Sequence, residues 1–190
     1  MNKRNNKRNN KGNNKRSKLG AVLAEFGTAF ALLVVFFFIP LVNMSFIGVR
    51  FLIAQGAIQE FVHRVALANK RSDSYDSLAS DPSWSQICNS SGGVFTSSNL
   101  QLIVCDKNGN ATITQANQKI PTELLPGGSK APCSYSFEMT AGFTIPPIYS
   151  ANSGSAIPGI TSPIQVQLKA RSAWENLSQD PITQEFFINE

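Results

Sequence analysis

The sequence is poor in the residues from which catalytic and metal sites are usually built. It contains one histidine, His63, and three cysteines, none of them in a Cys-x-x-Cys pair. A zinc site is not expected, because structural zinc ligands come in closely spaced pairs. The Gly-x-Ser-x-Gly motif of serine hydrolases and a Walker-type phosphate loop are also missing. We therefore predict no catalysis, no metal and no cofactor.

Acidic residues are missing from the first 20 positions, which hold eight lysines and arginines. The whole chain has a net charge of +5, so the remainder carries −3. A basic, polar stretch cannot bury a core, and we predict a disordered leader over residues 1–20. Clustered cations bind nucleic acid in some proteins. Next to an apolar run they instead favour retention on the cytoplasmic side, so no nucleic-acid partner is expected.

Charge is almost absent from the segment that follows. Between Leu19 and Val42 the only ionisable side chain is that of Glu25. About 20 apolar residues are enough for a helix to cross a bilayer. We predict a single transmembrane helix over residues 21–42, with a cytoplasmic N-terminus and an extracytoplasmic C-terminal domain. Pro40, which has no N–H, is predicted to bend this helix.

Beyond the apolar run the pattern becomes amphipathic. We predict that the helix extends over residues 43–69 and is followed by a polar linker that runs to Pro82. Apolar residues recur there every three or four positions, which is the helical period. The members of this stripe are Val42, Phe46, Val49, Ile53, Ala57, Phe61 and Val65.

Residues 70–190 are predicted to form a β-rich domain. Residues 92–115 read as a hairpin with an Asn108-Gly109 turn. Alternation predicts further strands over 134–139 and 164–171, and a proline-rich loop between them over 145–163. The long helix would lay its apolar stripe on this antiparallel sheet, which makes the predicted fold class α+β.

The three cysteines all follow the apolar run. In an oxidising compartment one pair could form a disulfide and one thiol would be left over. Three pairings of Cys88, Cys105 and Cys133 are possible, and the sequence does not choose among them.

The junction between the leader and the apolar run carries a recognisable pattern. Lys18-Leu19-Gly20 is followed by Ala21-Val22-Leu23-Ala24-Glu25-Phe26. This resembles the processing site of type IV pilin-like precursors, and more narrowly that of the TadE-like pseudopilins of the tight-adherence (Flp) pilus system. In that family a prepilin peptidase cuts after the glycine, and the mature chain has an acid at its fifth position with an aromatic residue after it. The resemblance implies that Gly20 ends the leader, Ala21 begins the mature chain, and Glu25 with Phe26 acts in assembly.

The resemblance further implies a pilin-like fold and the function of a minor pilin or pseudopilin. The implied partners are a prepilin peptidase, other pilins and an inner-membrane assembly platform, and the protein would reside in that membrane or in the pilus. Pro40 likewise resembles the helix-bending proline of related pilins.

Two other interpretations remain open. One is an uncleaved, membrane-anchored binding or scaffold protein, and the state of the Gly20–Ala21 bond separates it from a pilin. The other is a secreted enzyme with a signal peptide. It is disfavoured because the apolar run is long and has no small-x-small cleavage site before Asn43.

Overall fold

The computed structural model describes residues 9–80, 82–148 and 157–190. The chain divides into two compact units, Met1–Ser45 and Phe46–Glu190. The boundary between them falls inside a helix.

Helix makes up the described part of the first unit. It contains α1 (Asn9–Leu33), a π-helical segment (Val34–Phe38) and the start of α2 (Ile39–Ala66). Residues 1–8 of the predicted disordered leader lie outside the described residues, whereas residues 9–20 differ from that prediction because they belong to α1. Extending an existing helix backwards needs no new nucleation, and Lys and Arg are good helix formers.

The π-helical segment has a clear cause in the sequence. The Ile39 N–H donates to the Val34 carbonyl, five residues back. Pro40 has no N–H, and a proline ring collides with the carbonyl four residues earlier, here that of Phe36. A π turn absorbs this conflict by shifting the hydrogen bonding by one residue. The irregularity therefore lies where the sequence predicts a bend, and the bend itself stays a prediction.

The second unit is built on one antiparallel sheet. Its strands are β1 (Val94–Cys105), β2 (Ala111–Thr114), β3 (Ser134–Ile145) and β4 (Ile164–Ala173), and their order across the sheet is β2-β1-β3-β4. The prediction of an α+β fold with a long apolar N-terminal helix and a small antiparallel sheet is thus confirmed.

The β1–β2 hairpin closes at the predicted turn. Cys105 pairs with Ala111, and Gly109 has a φ of 82°, a left-handed value that favours glycine. The Asp106 carboxylate accepts bonds from the Asn108 N–H at 2.8 Å and the Asn110 N–H at 2.9 Å. Hydrogen bonds to Asn110 are the main cause of the lowered pKa of Asp106.

The core lies between α2 and one face of the sheet. Alternate residues of β3 point into it, and the C-terminal half of α2 covers them. The fully buried side chains include Ile58, Phe61, Val62, Leu102, Val104, Phe137, Met139, Phe143 and Leu168.

The buried face of α2 differs in part from the predicted stripe. Phe61 and Val65 are buried as predicted, but Phe46, Val49 and Ile53 are exposed by 47%, 52% and 50%. Around positions 46–53 the helix is apolar on more than one side, so periodicity alone selected the wrong side. The side that faces the domain carries Arg50, whose guanidinium donates to the Pro146 carbonyl at 2.6 Å.

The predicted linker after α2 is wrong, because the helix α3 (Arg71–Ser80) occupies it, and a second short helix, α4 (Pro82–Ser90), begins at its last residue. Tertiary contacts hold them in place. The buried Arg71 guanidinium donates to the carbonyls of Gln115 and Gln118. The Trp84 ring packs between other aromatic rings, with centroids 4.9 Å from Phe61 and 5.1 Å from Phe95.

The C-terminal segment, which showed no sequence pattern, returns to the start of α3. The Glu190 carbonyl accepts from the Ser72 N–H at 3.0 Å, and its side-chain carboxylate lies 2.7 Å from the Lys70 ammonium. The Asn189 amide oxygen accepts from the Ile120 N–H at 2.6 Å, and Ile188 is fully buried. The chain end is therefore part of the folded domain.

Candidate membrane and assembly segment

The N-terminal helix leaves its apolar side chains uncovered. Helical residues Val22–Ala66 form one segment that is long and apolar enough to cross a membrane, and only 6% of its most apolar 18-residue window is buried. A core helix would bury most of such a window. Exposed apolar side chains follow one another along it, among them Val22, Leu23, Phe26, Phe30, Phe36, Phe37, Phe38, Leu41 and Met44.

Glu25 stands on this apolar surface. It is exposed, and it lines a shallow groove along α1 with Ala24, Thr28, Ala29 and Leu32. The six ion pairs in the described part of the chain do not involve Glu25. The Glu25 carboxylate can therefore pair with a cation that the described residues do not supply.

The neighbours of Glu25 leave its surroundings open. The Thr28 hydroxyl donates to the Ala24 carbonyl at 3.0 Å, which satisfies the hydroxyl within the helix. The Phe26 ring is 68% exposed and stacks on Phe30 with centroids 6.3 Å apart. Small side chains beside the acid permit close approach of a second helix backbone.

The predicted cleavage position lies inside α1. Gly20 is exposed, and no atom outside its own stretch of helix lies within 4 Å of the position a Cβ would take. Glycine lowers helix stability by about 1 kcal/mol relative to alanine. The prediction of cleavage after Gly20 is not tested by the structure.

The second unit has exposed apolar side chains of its own on α2. Five apolar side chains near the middle of α2 are exposed by 36% to 68%: Phe46, Val49, Phe51, Leu52 and Ile53. From Ala54 onwards the apolar residues of α2 turn into the core. Periodicity did not indicate this surface, because it assigned Phe46, Val49 and Ile53 to the stripe predicted to be buried.

The sole histidine lies on the exposed side of α2. The His63 Nδ1 is 3.4 Å from the Ser172 hydroxyl, and both residues line a shallow pocket with Glu60 and Arg171. The Glu60 carboxylate accepts from Arg64 at 2.9 Å. An imidazole oriented by an acid, as in a catalytic triad, is not found among the described residues.

The three cysteines lie in different elements. Cys88 belongs to α4, Cys105 ends β1, and Cys133 directly precedes β3. All three are free thiols in the structure. No group of three or more histidine, cysteine or acidic residues that could hold a metal ion occurs in the described ranges.

No family model, curated protein or solved structure matches this chain.

Proposed function

We propose that this protein is a TadE-like minor pilin or pseudopilin of a Tad/Flp-type pilus or of its secretion machinery. It is anchored in the inner membrane by one helix, with its leader in the cytoplasm and its α+β domain outside. It acts by packing that helix against other pilins and an assembly platform, and it performs no catalysis.

One observation carries the proposal: a long exposed apolar helix has a single acid up to Val42, five residues after a glycine at the end of a basic stretch. An ionised acid at the centre of a membrane helix costs roughly 2.5–3.5 kcal/mol, and such residues are usually functional. Glu25 lies near the start of the apolar run, where the cost is smaller but a cationic partner is still favoured.

Cleavage after Gly20 would supply that cation. It removes the eight positive charges of the leader and creates an α-amino group at Ala21. The new ammonium pairs with Glu25 of the same or a neighbouring subunit. Apolar side chains do not distinguish lipid from protein, so such a polar contact is what sets the register between packed helices.

The orientation follows from the charge distribution. Lysines and arginines next to a membrane helix are retained on the cytoplasmic side. The eight cations precede the helix, whereas the part of the chain after position 20 carries a net −3. This charge distribution supports a sheet domain on the opposite side of the membrane from the leader.

A second candidate is an uncleaved, membrane-anchored scaffold protein. It is favoured by the observation that α1 runs through Gly20 and Ala21 without a break. A peptidase must unwind the helix locally before it can cut this bond, and a scaffold protein would keep it intact.

The exposed face of α2 provides a test of helix packing. Replacing Leu52, which is 68% exposed, with alanine removes a contact surface and keeps a strong helix former. In full-length tagged protein isolated from host membranes, we expect co-purification of other pilins to fall about threefold or more.

Ile182→Ala is the matched control, because Ile182 is 89% exposed but lies in the C-terminal segment. It should co-purify as the wild type does. Equal recovery with Leu52→Ala and wild type would contradict packing through this face and favour the scaffold function.

A further inference from the structure

Two of the three cysteines meet at one end of the sheet. In the β1–β3 register Cys105 lies opposite Ser134, the residue that directly follows Cys133. Paired residues of antiparallel strands have Cα atoms about 4.5–5.5 Å apart, and successive Cα atoms are about 3.8 Å apart. The Cα atoms of Cys105 and Cys133 are therefore roughly 6 Å apart, within the range of about 4.4–6.8 Å that disulfides span.

The surroundings of the two sulfurs hold them only weakly. The Cys133 thiol donates to the Lys130 carbonyl at 3.5 Å, and an Arg171 guanidinium nitrogen lies 3.7 Å from the Cys105 sulfur. Cys133 directly precedes β3 and packs against the core, whereas Cys105 lies beside Arg171 on the other face of the sheet, so the pairing requires the backbone around Cys133 to turn this side chain outward. Turning Cys133 outward breaks its weak bond to the Lys130 carbonyl and its hydrogen bond with Tyr135.

Cys88 lies towards the opposite end of β1. It is one helical turn from Trp84, whose ring centroid is 5.1 Å from that of Phe95. Phe95 and Cys105 are ten residues apart along β1, which corresponds to roughly 30 Å. Even with the reach of the side chains and the helical turn subtracted, Cys88 remains more than about 7 Å from the other two cysteines, too far for a disulfide.

We propose that Cys105 and Cys133 are disulfide partners and that Cys88 stays a free thiol. Of the three pairings that the sequence allows, the strand register leaves only this one. That oxidation takes place in cells rests on the proposed export of the sheet domain, whereas the pairing itself does not.

The bond forms by thiol–disulfide exchange with a disulfide-bearing oxidant, either an oxidised dithiol protein or a small disulfide. Burial is the main cause that raises the pKa of the Cys133 thiol. In the first step the Cys105 thiolate attacks one sulfur of the oxidant, the S–S bond of the oxidant breaks, and one of its thiolates leaves. The Cys133 thiolate then attacks the Cys105 sulfur and expels the thiolate of the oxidant. The two cysteine thiol protons pass through solvent to the two sulfur atoms of the oxidant, which the two electrons reduce from a disulfide to two thiols.

The disulfide would join the two ends of the segment that runs from Cys105 to Cys133. That segment contains β2 and the short 3-10 helix Thr122–Leu124. Closing a loop of this length restricts the unfolded chain, and we expect oxidation to raise the melting temperature by about 10 °C.

The test uses the full chain in detergent micelles. The protein is incubated with oxidised glutathione, its remaining thiols are blocked with a maleimide, and its peptides are mapped by mass spectrometry. We expect a Cys105–Cys133 linked peptide and a maleimide on Cys88 alone. An intramolecular disulfide to Cys88, or maleimide on all three cysteines after oxidation, would overturn the pairing.

Two further experiments test whether Cys88 takes part in thiol scrambling and whether the disulfide forms in cells. Cys88→Ser leaves both partners and the fold in place, and it should yield the linked peptide with no labelled thiol; three-way scrambling through Cys88 is then excluded. The same mapping on protein trapped with acid from host cells tests the location. A pair that forms in micelles while cells contain three reduced thiols would contradict the proposed export and leave the pairing standing.

Discussion

Replacing Glu25 with alanine is expected to leave the protein in the membrane and to lower its co-purification with pilus components about tenfold. Insertion depends on the apolar run, and removing an ionisable group makes insertion easier. Assembly suffers because the Ala21 ammonium of the mature chain loses its counter-charge, and an unpaired charge in an apolar surrounding is costly. Polar contacts between membrane helices contribute about 0.6–1.7 kcal/mol, and about 1.4 kcal/mol corresponds to a factor of ten.

Two variants at the same position separate charge from shape. Glu25→Gln keeps the size and removes the charge, so it should behave as alanine does. Glu25→Asp keeps the carboxylate and should recover part of the interaction. Thr28→Ala, in the same groove, serves as the neighbouring control because its hydroxyl is satisfied within the helix. Unchanged co-purification of Glu25→Ala would reduce Glu25 to an interfacial acid without a role in assembly.

Replacing Phe137 with alanine is expected to lower the free energy of unfolding of the sheet domain by about 3–5 kcal/mol. Phe137 is fully buried at the centre of β3. Its ring makes edge-to-face contacts with Tyr75 at 5.7 Å and Trp174 at 5.5 Å. The variant therefore loosens β3, α3 and the C-terminal segment at once. Thermal unfolding of the full chain in micelles, followed by circular dichroism, should show a melting temperature lower by about 10 °C.

Phe46→Ala is the matched control for this prediction. The same side chain is removed, but Phe46 is 47% exposed on α2 and lies outside the core. Its melting temperature should stay within a few degrees of the wild type. Equal shifts for the two variants would contradict the position of the core.

The strands that could be predicted from the sequence are those in which local patterns agree with the tertiary structure. In β4 apolar and polar residues alternate from Ile164 onwards, because one face of this strand packs on the core. The hairpin was predicted from Asn108-Gly109, where the left-handed φ of Gly109 makes the turn. In both cases the decisive interactions are local or repeat with a regular period.

The elements that were missed depend on single long-range contacts. The sequence of α3 is polar and has no apolar stripe, and Arg71 fixes it to carbonyls more than 40 positions away. The C-terminal segment is held by individual bonds such as that of Asn189 to Ile120. Such contacts leave no period in the sequence, so local propensity indicated a linker or gave no indication at all.

The residues of the candidate site also divide into those that local patterns predicted and those that required the tertiary structure. Gly20, Ala21, Glu25 and Phe26 form a local pattern that is legible without a structure. The pairing of Cys105 with Cys133 required the β1–β3 register, which spacing along the chain does not contain. The exposed face of α2 around Leu52 required knowledge of which side the sheet covers.

The N-terminus of the protein isolated from its native host tests the proposed function most directly. Intact-mass measurement and N-terminal sequencing should show a chain that begins at Ala21 and has lost the eight cations of its leader. Gly20→Val, for which the helix surface has open space, should keep the leader without disturbing the fold. A wild-type protein that retains residues 1–20 in the host would contradict the pilin function and leave the anchored scaffold in its place.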